Sequence, residues 1–289
     1  MSDETTVAVE RQSPEGAFGL LSNGLRVSII RTLGGAEGPM SFSALREATS
    51  ERDSGKFNYH LGKLTGHFVT KNEDGYRLSL AGIQVYGAIQ SGAYTANASL
   101  APFEFDGPCP LCGSDVLLAE YSDEHAKLYC PNCDAWRNEF SFPPASLDQY
   151  AREELPYAFD RWMHATVMKV LQGFCSNCGG RVDGRLEQTG AESQMPIRVL
   201  FECGRCGDML TASAMLPALF HPVAVSFFED HDINVLHDPS WRYFNVVTDW
   251  TVEVASEAPL TARVSIKVTG GELAATIGSE GDPQTVSIK

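Results

Sequence analysis

All eight cysteines of the chain fall into four Cys-x-x-Cys pairs: Cys109 with Cys112, Cys130 with Cys133, Cys175 with Cys178, and Cys203 with Cys206. Two thiolates three positions apart on a tight knuckle can grip one tetrahedral ion together, so two knuckles complete a closed four-sulfur site. The first two pairs are therefore expected to build one zinc ribbon and the last two a second. Seventeen residues separate Cys112 from Cys130 and twenty-four separate Cys178 from Cys203, room in each case for two short strands and a turn. Gly113, Gly179 and Gly207 each follow a second cysteine directly, where a residue tolerant of positive φ lets the knuckle amides turn toward sulfur.

Disulfides would need an oxidising compartment, whereas the segment Met1 to Gln12 is acidic and polar rather than built like a signal peptide. A cytoplasmic location is expected. An iron–sulfur cluster or a redox-active Cys-x-x-Cys pair is a further reading of the same spacing, but duplicated knuckles without a thioredoxin-like strand–helix pattern favour two Zn2+ ions. A closed four-sulfur site leaves no open coordination position, so the ions are expected to hold structure rather than catalyse.

A chain of 289 residues should hold two or three domains. It has no apolar run of the length needed to cross a bilayer, so no membrane partner is expected. Acidic residues outnumber basic ones by 37 to 22, and only seven of the latter are lysine, the balance of a protein that stays hydrated in concentrated salt. A halophilic source is expected. The charge is uneven: residues 1–92 hold nine basic and ten acidic residues, the remainder 13 and 27. Any contact with a polyanion therefore belongs to the first third.

Within that third, residues 1–13 read as a disordered acidic tail. Residues 14–92 read as helix, helix, helix and hairpin. Pro14 to Ser22 begins a helix with Phe18 and Leu21 on one side. Asn23 is a plausible N-cap for a helix carrying Leu25, Ile29, Ile30 and Leu33 and ended by Gly34-Gly35. Ser41 or Ser43 caps a third. A fourth runs from about Gly55 to His67, with Phe57, Leu61, Leu64 and Phe68 on one face and Lys56, Tyr59 and Lys63 opposite. An apolar back and a cationic, aromatic front suit a helix that sits in a DNA major groove, and a solvated basic face on a core helix is the plain alternative. Gly55, Gly62 and Gly66 share a flank, as though a backbone or phosphate came close there. Phe68 to Lys71, the turn Asn72-Glu73-Asp74-Gly75 and Tyr76 to Leu80 read as a β-hairpin with Asp-Gly in its turn and Lys71 and Arg77 beside it. After Gly82, a helix Ile83 to Gln90 carries Ile83, Val85, Tyr86 and Ile89, surface suited to a dimer contact.

The run Ser54-Gly-Lys-Phe-Asn-Tyr-His-Leu-Gly-Lys-Leu64, followed by Gly66-His-Phe-Val69 and Asp74-Gly-Tyr76, resembles the ArsR-type winged helix-turn-helix regulators widespread in halophilic archaea. The resemblance covers residues 14–92 and extends more loosely to the ribbon-bearing remainder. It implies that Asn58, Tyr59, His60 and Leu61 lie in a recognition helix and that the protein binds double-stranded DNA as a homodimer. It does not carry over a metal-sensing site inside the winged domain, because that segment contains no cysteine.

Beyond Ser91 to Ala101, read as a small polar linker, residues 102–143 form the first expected ribbon. Its strands are Val116 to Tyr121 and Lys127 to Tyr129, with Trp136, Phe140 and Phe142 as cover. Trp136 could stack on a base, but Asp123, Glu124, Asp134 and Glu139 nearby favour packing. Residues 144–174 are connecting helices: Ser146 caps a short one, and a longer one from Pro156 to about Gly173 carries Phe159, Trp162, Met163, Thr166, Val170 and Leu171. Residues 175–212 form the second ribbon, with strands Gly184 to Glu187 and Ile197 to Phe201 around a polar loop, left by an apolar run, Met209 to Phe220. Residues 213–289 read as a helix, Pro222 to Asp230, and an antiparallel β-meander with Gly270-Gly271 as a hairpin signal. This last region is expected to be a dimerisation module, or a sensor for an unidentified small-molecule effector. His221, His231 and His237 beside Asp230, Asp232 and Asp238 match no ligand spacing and read as caps and turns.

The expected fold is thus α+β and multidomain: an N-terminal winged helix-turn-helix, two four-cysteine zinc ribbons joined by a helix, and a C-terminal antiparallel β-meander. The expected function is sequence-specific transcriptional regulation, with Lys56, Asn58, Tyr59, His60 and Lys63 toward bases and phosphates and Lys71 and Arg77 on the flanking backbone. The alternative is a protein-interaction adaptor of the transcription machinery. An enzyme is disfavoured, since no poised nucleophile, open metal site or phosphate-cradling loop is evident.

Overall fold

A computed structural model describes residues 12–133, 135–189 and 197–289. The expected acidic tail, Asp134 and the centre of the polar loop in the second cysteine module lie largely or wholly outside the described residues. The chain mixes helices with antiparallel sheets and divides into two units, Met1–Asn97 and Ala98–Lys289.

In the first unit each helix starts where a side chain can take the orphaned amides of its first turn. Ser13 opens α1 (Pro14–Gly19), Asn23 opens α2 (Gly24–Gly34), Ser41 opens α3 (Phe42–Ala48) and Asp53 opens α4 (Ser54–Leu64). Strands β1 (Val69–Asn72) and β2 (Gly75–Leu78) follow, then α5 (Leu80–Gln90), capped by Ser79. Ile29, Ile30, Leu45, Phe57, Leu61 and Leu64 meet in one core, with Phe42 edge-on to Phe57 at 5.1 Å. Phe18 is 70% exposed, whereas Leu21 packs against this core.

Three local readings need correction. The fourth helix stops at Leu64, because Thr65 leaves the helical region and Gly66 takes a φ of +88° to turn the chain into β1. Asn72 pairs with Gly75, so the hairpin loop is Glu73-Asp74 and the glycine begins the return strand rather than sitting in the turn. Gly82 lies inside α5 and not before it, and a Cβ there would stand 2.1 Å from the Phe68 carbonyl oxygen, so only glycine permits that approach. No local pattern signals that Met40 exchanges two backbone hydrogen bonds with Tyr76, adding a third extended segment to the hairpin.

The second unit opens with a sheet of four antiparallel strands, β3 (Leu100–Asp106), β4 (Val116–Ser122), β5 (His125–Tyr129) and β6 (Arg137–Ser141), in sequence order. Only the middle pair was expected; β3 begins inside the stretch read as a linker. Asp123 and Glu124, both at positive φ, make the two-residue turn between β4 and β5. Helix α6 (Leu155–Leu171) follows two 3-10 turns. Ser146 does not cap the first of these turns, which begins at Pro144 with no side-chain cap. Next come β7 (Val182–Gln188), β8 (Ile197–Cys203) and β9 (Met209–Ser213), which form a three-stranded sheet, so the start of the apolar run expected to lead out of the module is instead its third strand. Two short helices, α7 (Leu216–Leu219) and α8 (Pro222–Glu229), lead to β10 (Val247–Glu257), β11 (Leu260–Val268), β12 (Gly271–Ile277) and β13 (Pro283–Ile288), again antiparallel in sequence order. Val268 pairs with Gly271, placing the turn at Thr269-Gly270, one residue before the expected pair.

Helix α6 feeds two cores. Leu155 and Phe159 join Leu117, Tyr121, Leu128 and Trp241 under the first sheet, and Trp136 packs half-buried against that cluster. Val170 joins Val199, Phe227, Phe228, Val264 and Leu273 in the second.

Candidate metal centres and nucleic-acid interface

The sulfur atoms of Cys109, Cys112, Cys130 and Cys133 all lie within 4.8 Å of one another, as do those of Cys175, Cys178, Cys203 and Cys206. Cross-knuckle separations are 3.7 Å for Cys109–Cys133, 3.6 Å for Cys112–Cys130, 3.6 Å for Cys175–Cys206 and 3.5 Å for Cys178–Cys203. A disulfide would need about 2.05 Å. A metal–sulfur bond of about 2.3 Å in a tetrahedron implies edges of about 3.8 Å, which these distances approach. The donor set fits a tetrahedral, thiolate-loving ion at each quartet.

The knuckles are built for anionic sulfur. Gly113, Gly179 and Gly207 take φ of +69°, +67° and +74°, and each donates its amide to the carbonyl of the first cysteine of its knuckle. That turn aims other amides at sulfur: Leu111 at Cys109, Cys178 at Cys175 and Gly180 at Cys178, all at 3.4 Å. The Asn132 side-chain amide, together with a backbone amide, holds the Cys112 thiol down to about 6, and the backbone amides of Cys206 and Arg205 do the same for Cys203. Burial pushes Cys109 up to about 12, so its thiolate depends on a cation being present.

On α4 the apolar and polar sides separate cleanly. Phe57, Leu61 and Leu64 are buried, Tyr59 is 60% exposed, and the Lys63 ammonium lies 5.6 Å from the Tyr59 ring centre. Lys56 is exposed but held by Glu51 at 2.8 Å. His60 is half-buried; its Nδ1 and the Nε of Arg26 on α2 are both sealed from solvent without a hydrogen-bond partner. Burial, then the Arg26 and Lys56 charges, hold the His60 imidazole below its ordinary value. Asn58 is exposed but stands about 160° around the helix from Lys56, so it does not share the face of the lysines. Lys71 pairs across the hairpin with Tyr76 and lies 5.3 Å from its ring, whereas Arg77 pairs with Thr70, so the two cations leave opposite faces of the ribbon. No backbone of this chain comes close to the glycine flank: Gly62 and Gly66 have none of its other atoms within 4 Å of where a Cβ would stand, and Gly55 sits beside the Asp53 cap.

A third group was not singled out from the sequence. Asp160, 1% exposed on α6, accepts from the Ser240 amide at 3.2 Å and from the Ser240 hydroxyl at 2.5 Å. His164, one turn on, lies 3.7 Å from Asp160 and 3.0 Å from the Tyr243 hydroxyl, which donates to the Val235 carbonyl at 2.7 Å. Burial pushes the Asp160 carboxyl up and holds the His164 imidazole down. The i, i+4 spacing of an acid and a histidine on the face shared with Val167 and near Phe159 was the available signal. His221, by contrast, accepts from the Val223 amide to cap α8, and Asp238 accepts from the Asn234 amide.

A family model described as Domain of unknown function (DUF7351) matches residues 106–282, and one described as Domain of unknown function (DUF7347) matches residues 14–89. No curated protein and no solved structure matches the chain. Among the described residues no helix is long and apolar enough to cross a membrane.

Proposed function

The chain belongs to the family described as Domain of unknown function (DUF7351), a description that names no role, and from the chain's own residues we propose a cytoplasmic, sequence-specific DNA-binding transcriptional regulator of the ArsR-type winged-helix kind. It acts as a homodimer, and its two cysteine quartets each hold a structural Zn2+. The observation that carries this reading is the division of α4, which buries Phe57, Leu61 and Leu64 while leaving Tyr59 and Lys63 in solvent. A helix anchored in this way can enter a major groove without disturbing its own domain. The order α2, α3, α4, β1, β2, with Met40 bridging to Tyr76, supports a winged helix-turn-helix. Leu80 and Ile83, 75% and 54% exposed on α5, offer apolar surface for the partner copy.

Within the α4 face, Lys63 and Tyr59 are the primary contacts, Lys56 joins after releasing Glu51, and Arg77 reaches backbone phosphate from the outer face of the hairpin. Zinc is favoured over other ions because four thiolates with no open position match its structural sites. In concentrated salt counterion release contributes little, so discrimination rests on hydrogen bonds and apolar contact at the bases. Selection from a random DNA pool with the full, metal-loaded chain tests the proposal. A consensus of two related half-sites is expected, whereas no enriched sequence would overturn it in favour of an adaptor that docks on protein.

A further inference from the structure

Strand β9 is the outer edge of the sheet β7-β8-β9, and all five of its residues line a cleft of about 1070 Å³ in the second unit. The hydrogen-bond phase shows which of its backbone groups are paired. Cys203 donates its amide to the Asp208 carbonyl and Ala214 donates to Ile197, so the even-numbered residues along β9 bond to β8. The amides and carbonyls of Met209, Thr211 and Ser213 therefore point away from the sheet, and among the described residues none bonds to them. Sheet edges are ordinarily blunted by charge, proline or a bulge; the run Met209-Leu-Thr-Ala-Ser213 has none of these and pairs with β8 without a shift.

The second core is left half-open along the same edge. Leu210 and Ala212 are only partly buried against it, as are Phe220, Trp250 and Val252, and all five line the cleft. Side chains alternate across a strand, so an added strand would set every second one beside Leu210 and Ala212, where apolar groups extend that core. The others would stand beside Met209 and Thr211, which are exposed. The chain beyond residue 92 carries 27 acidic against 13 basic residues, so cationic side chains complement it at those outward positions. Strand β6 is a second edge on this cleft, but its Ser141 carbonyl already accepts the Trp162 indole at 2.8 Å, and the ion pair of Arg137 with Glu139 blunts the rest.

We propose that this cleft is a peptide-docking site, in which an extended segment of a partner protein, alternating apolar and basic residues, adds antiparallel to β9 as a fourth strand. The proposal concerns the second unit alone and does not depend on whether the first unit reads DNA.

The probe is the peptide Lys-Val-Lys-Val-Lys-Val-Lys-amide with fluorescein at its N-terminus, titrated against the metal-loaded full chain by anisotropy. Saturable one-to-one binding is expected. In antiparallel pairing the lysines stand opposite Met209, Thr211 and Ser213, so it is their amides that bond to β9. N-methylation of the lysine amides should weaken binding at least about tenfold, whereas N-methylation of the valine amides should change it less than about threefold. The same peptide with glutamate in place of lysine should bind weakest. Thr211→Pro removes one outward N–H without touching the bonds to β8 and should also weaken binding at least about tenfold; the two methylated peptides decide the matter if that variant fails to fold. Glu139→Pro, the equivalent block on β6, should leave the affinity unchanged. No saturable binding, a glutamate peptide that binds best, methylated peptides that bind alike, or a block that acts at Glu139 instead of Thr211 would overturn the proposal.

Discussion

Replacing Tyr243 by phenylalanine isolates the energetic role of the Asp160–His164–Tyr243 network. The ring is retained, and with it the stacking on His164 at 5.8 Å and 23°, so no cavity opens and the hydrophobic contribution is nearly unchanged. What disappears is one hydroxyl that donates to Val235 at 2.7 Å and accepts from His164 at 3.0 Å. Both partners stay buried, Val235 at 0% and His164 at 8% exposure. A buried group left without its partner costs about 1–3 kcal/mol. His164 recovers part of its share by leaning toward Asp160, already 3.7 Å away, while burying a phenyl instead of a phenol returns a little more. The net loss is about 1.5–3 kcal/mol. For a unit the size of Ala98–Lys289 each kcal/mol moves the midpoint by roughly 2–4 °C, so scanning calorimetry of the metal-loaded protein should show a fall of roughly 3–12 °C. A midpoint unchanged to within about 1 °C would mean that the hydroxyl is no better satisfied in the fold than in water, and the network would then have no claim to a stabilising role. A double-mutant cycle with His164→Leu sharpens the test: residues in one hydrogen-bond network should show a coupling of about 0.5–3 kcal/mol, and strict additivity would refute the shared bond.

Lys63→Ala should weaken binding to the selected DNA about tenfold and shallow its salt dependence by about one ion, whereas Lys56→Ala should cost less because that ammonium must first leave Glu51; fluorescence anisotropy across a salt series reads both. Free His60 is held below its ordinary value and DNA phosphate would raise it, so binding takes up a proton and affinity should increase as pH falls; His60→Gln should flatten that profile. Native mass spectrometry should find two zinc ions per chain in the wild type and one in Cys130→Ser, and chelation should unfold the second unit, as loss of circular dichroism would report.

The parts of the molecule that were legible in advance are those whose cause is local. A thiolate pair three residues apart carries its own geometry, and the two quartets assemble as the spacing implies. The faces of α4 follow from helical period alone, and the caps Asn23 and Ser41 from side chains that need only reach two or three residues ahead, whereas the Ser79 cap was missed with the true start of α5. What escaped is decided by partners distant in sequence. Strands β3 and β6 become strands because the edges of the expected two-stranded ribbon would otherwise be left unpaired. Asp160 reads as a solvated helix residue until Ser240, eighty positions later, arrives with two donors. The same distinction explains why Asn58 was grouped with the lysines: adjacency in the motif Asn58-Tyr59-His60 suggested a shared face, but 100° per residue sends neighbours apart and brings Lys56, Tyr59 and Lys63 together, leaving His60 half-buried at the edge. If α4 reads bases, as proposed, the stripe and not the motif would do so, and Asn58, about 160° from Lys56, would stand outside it.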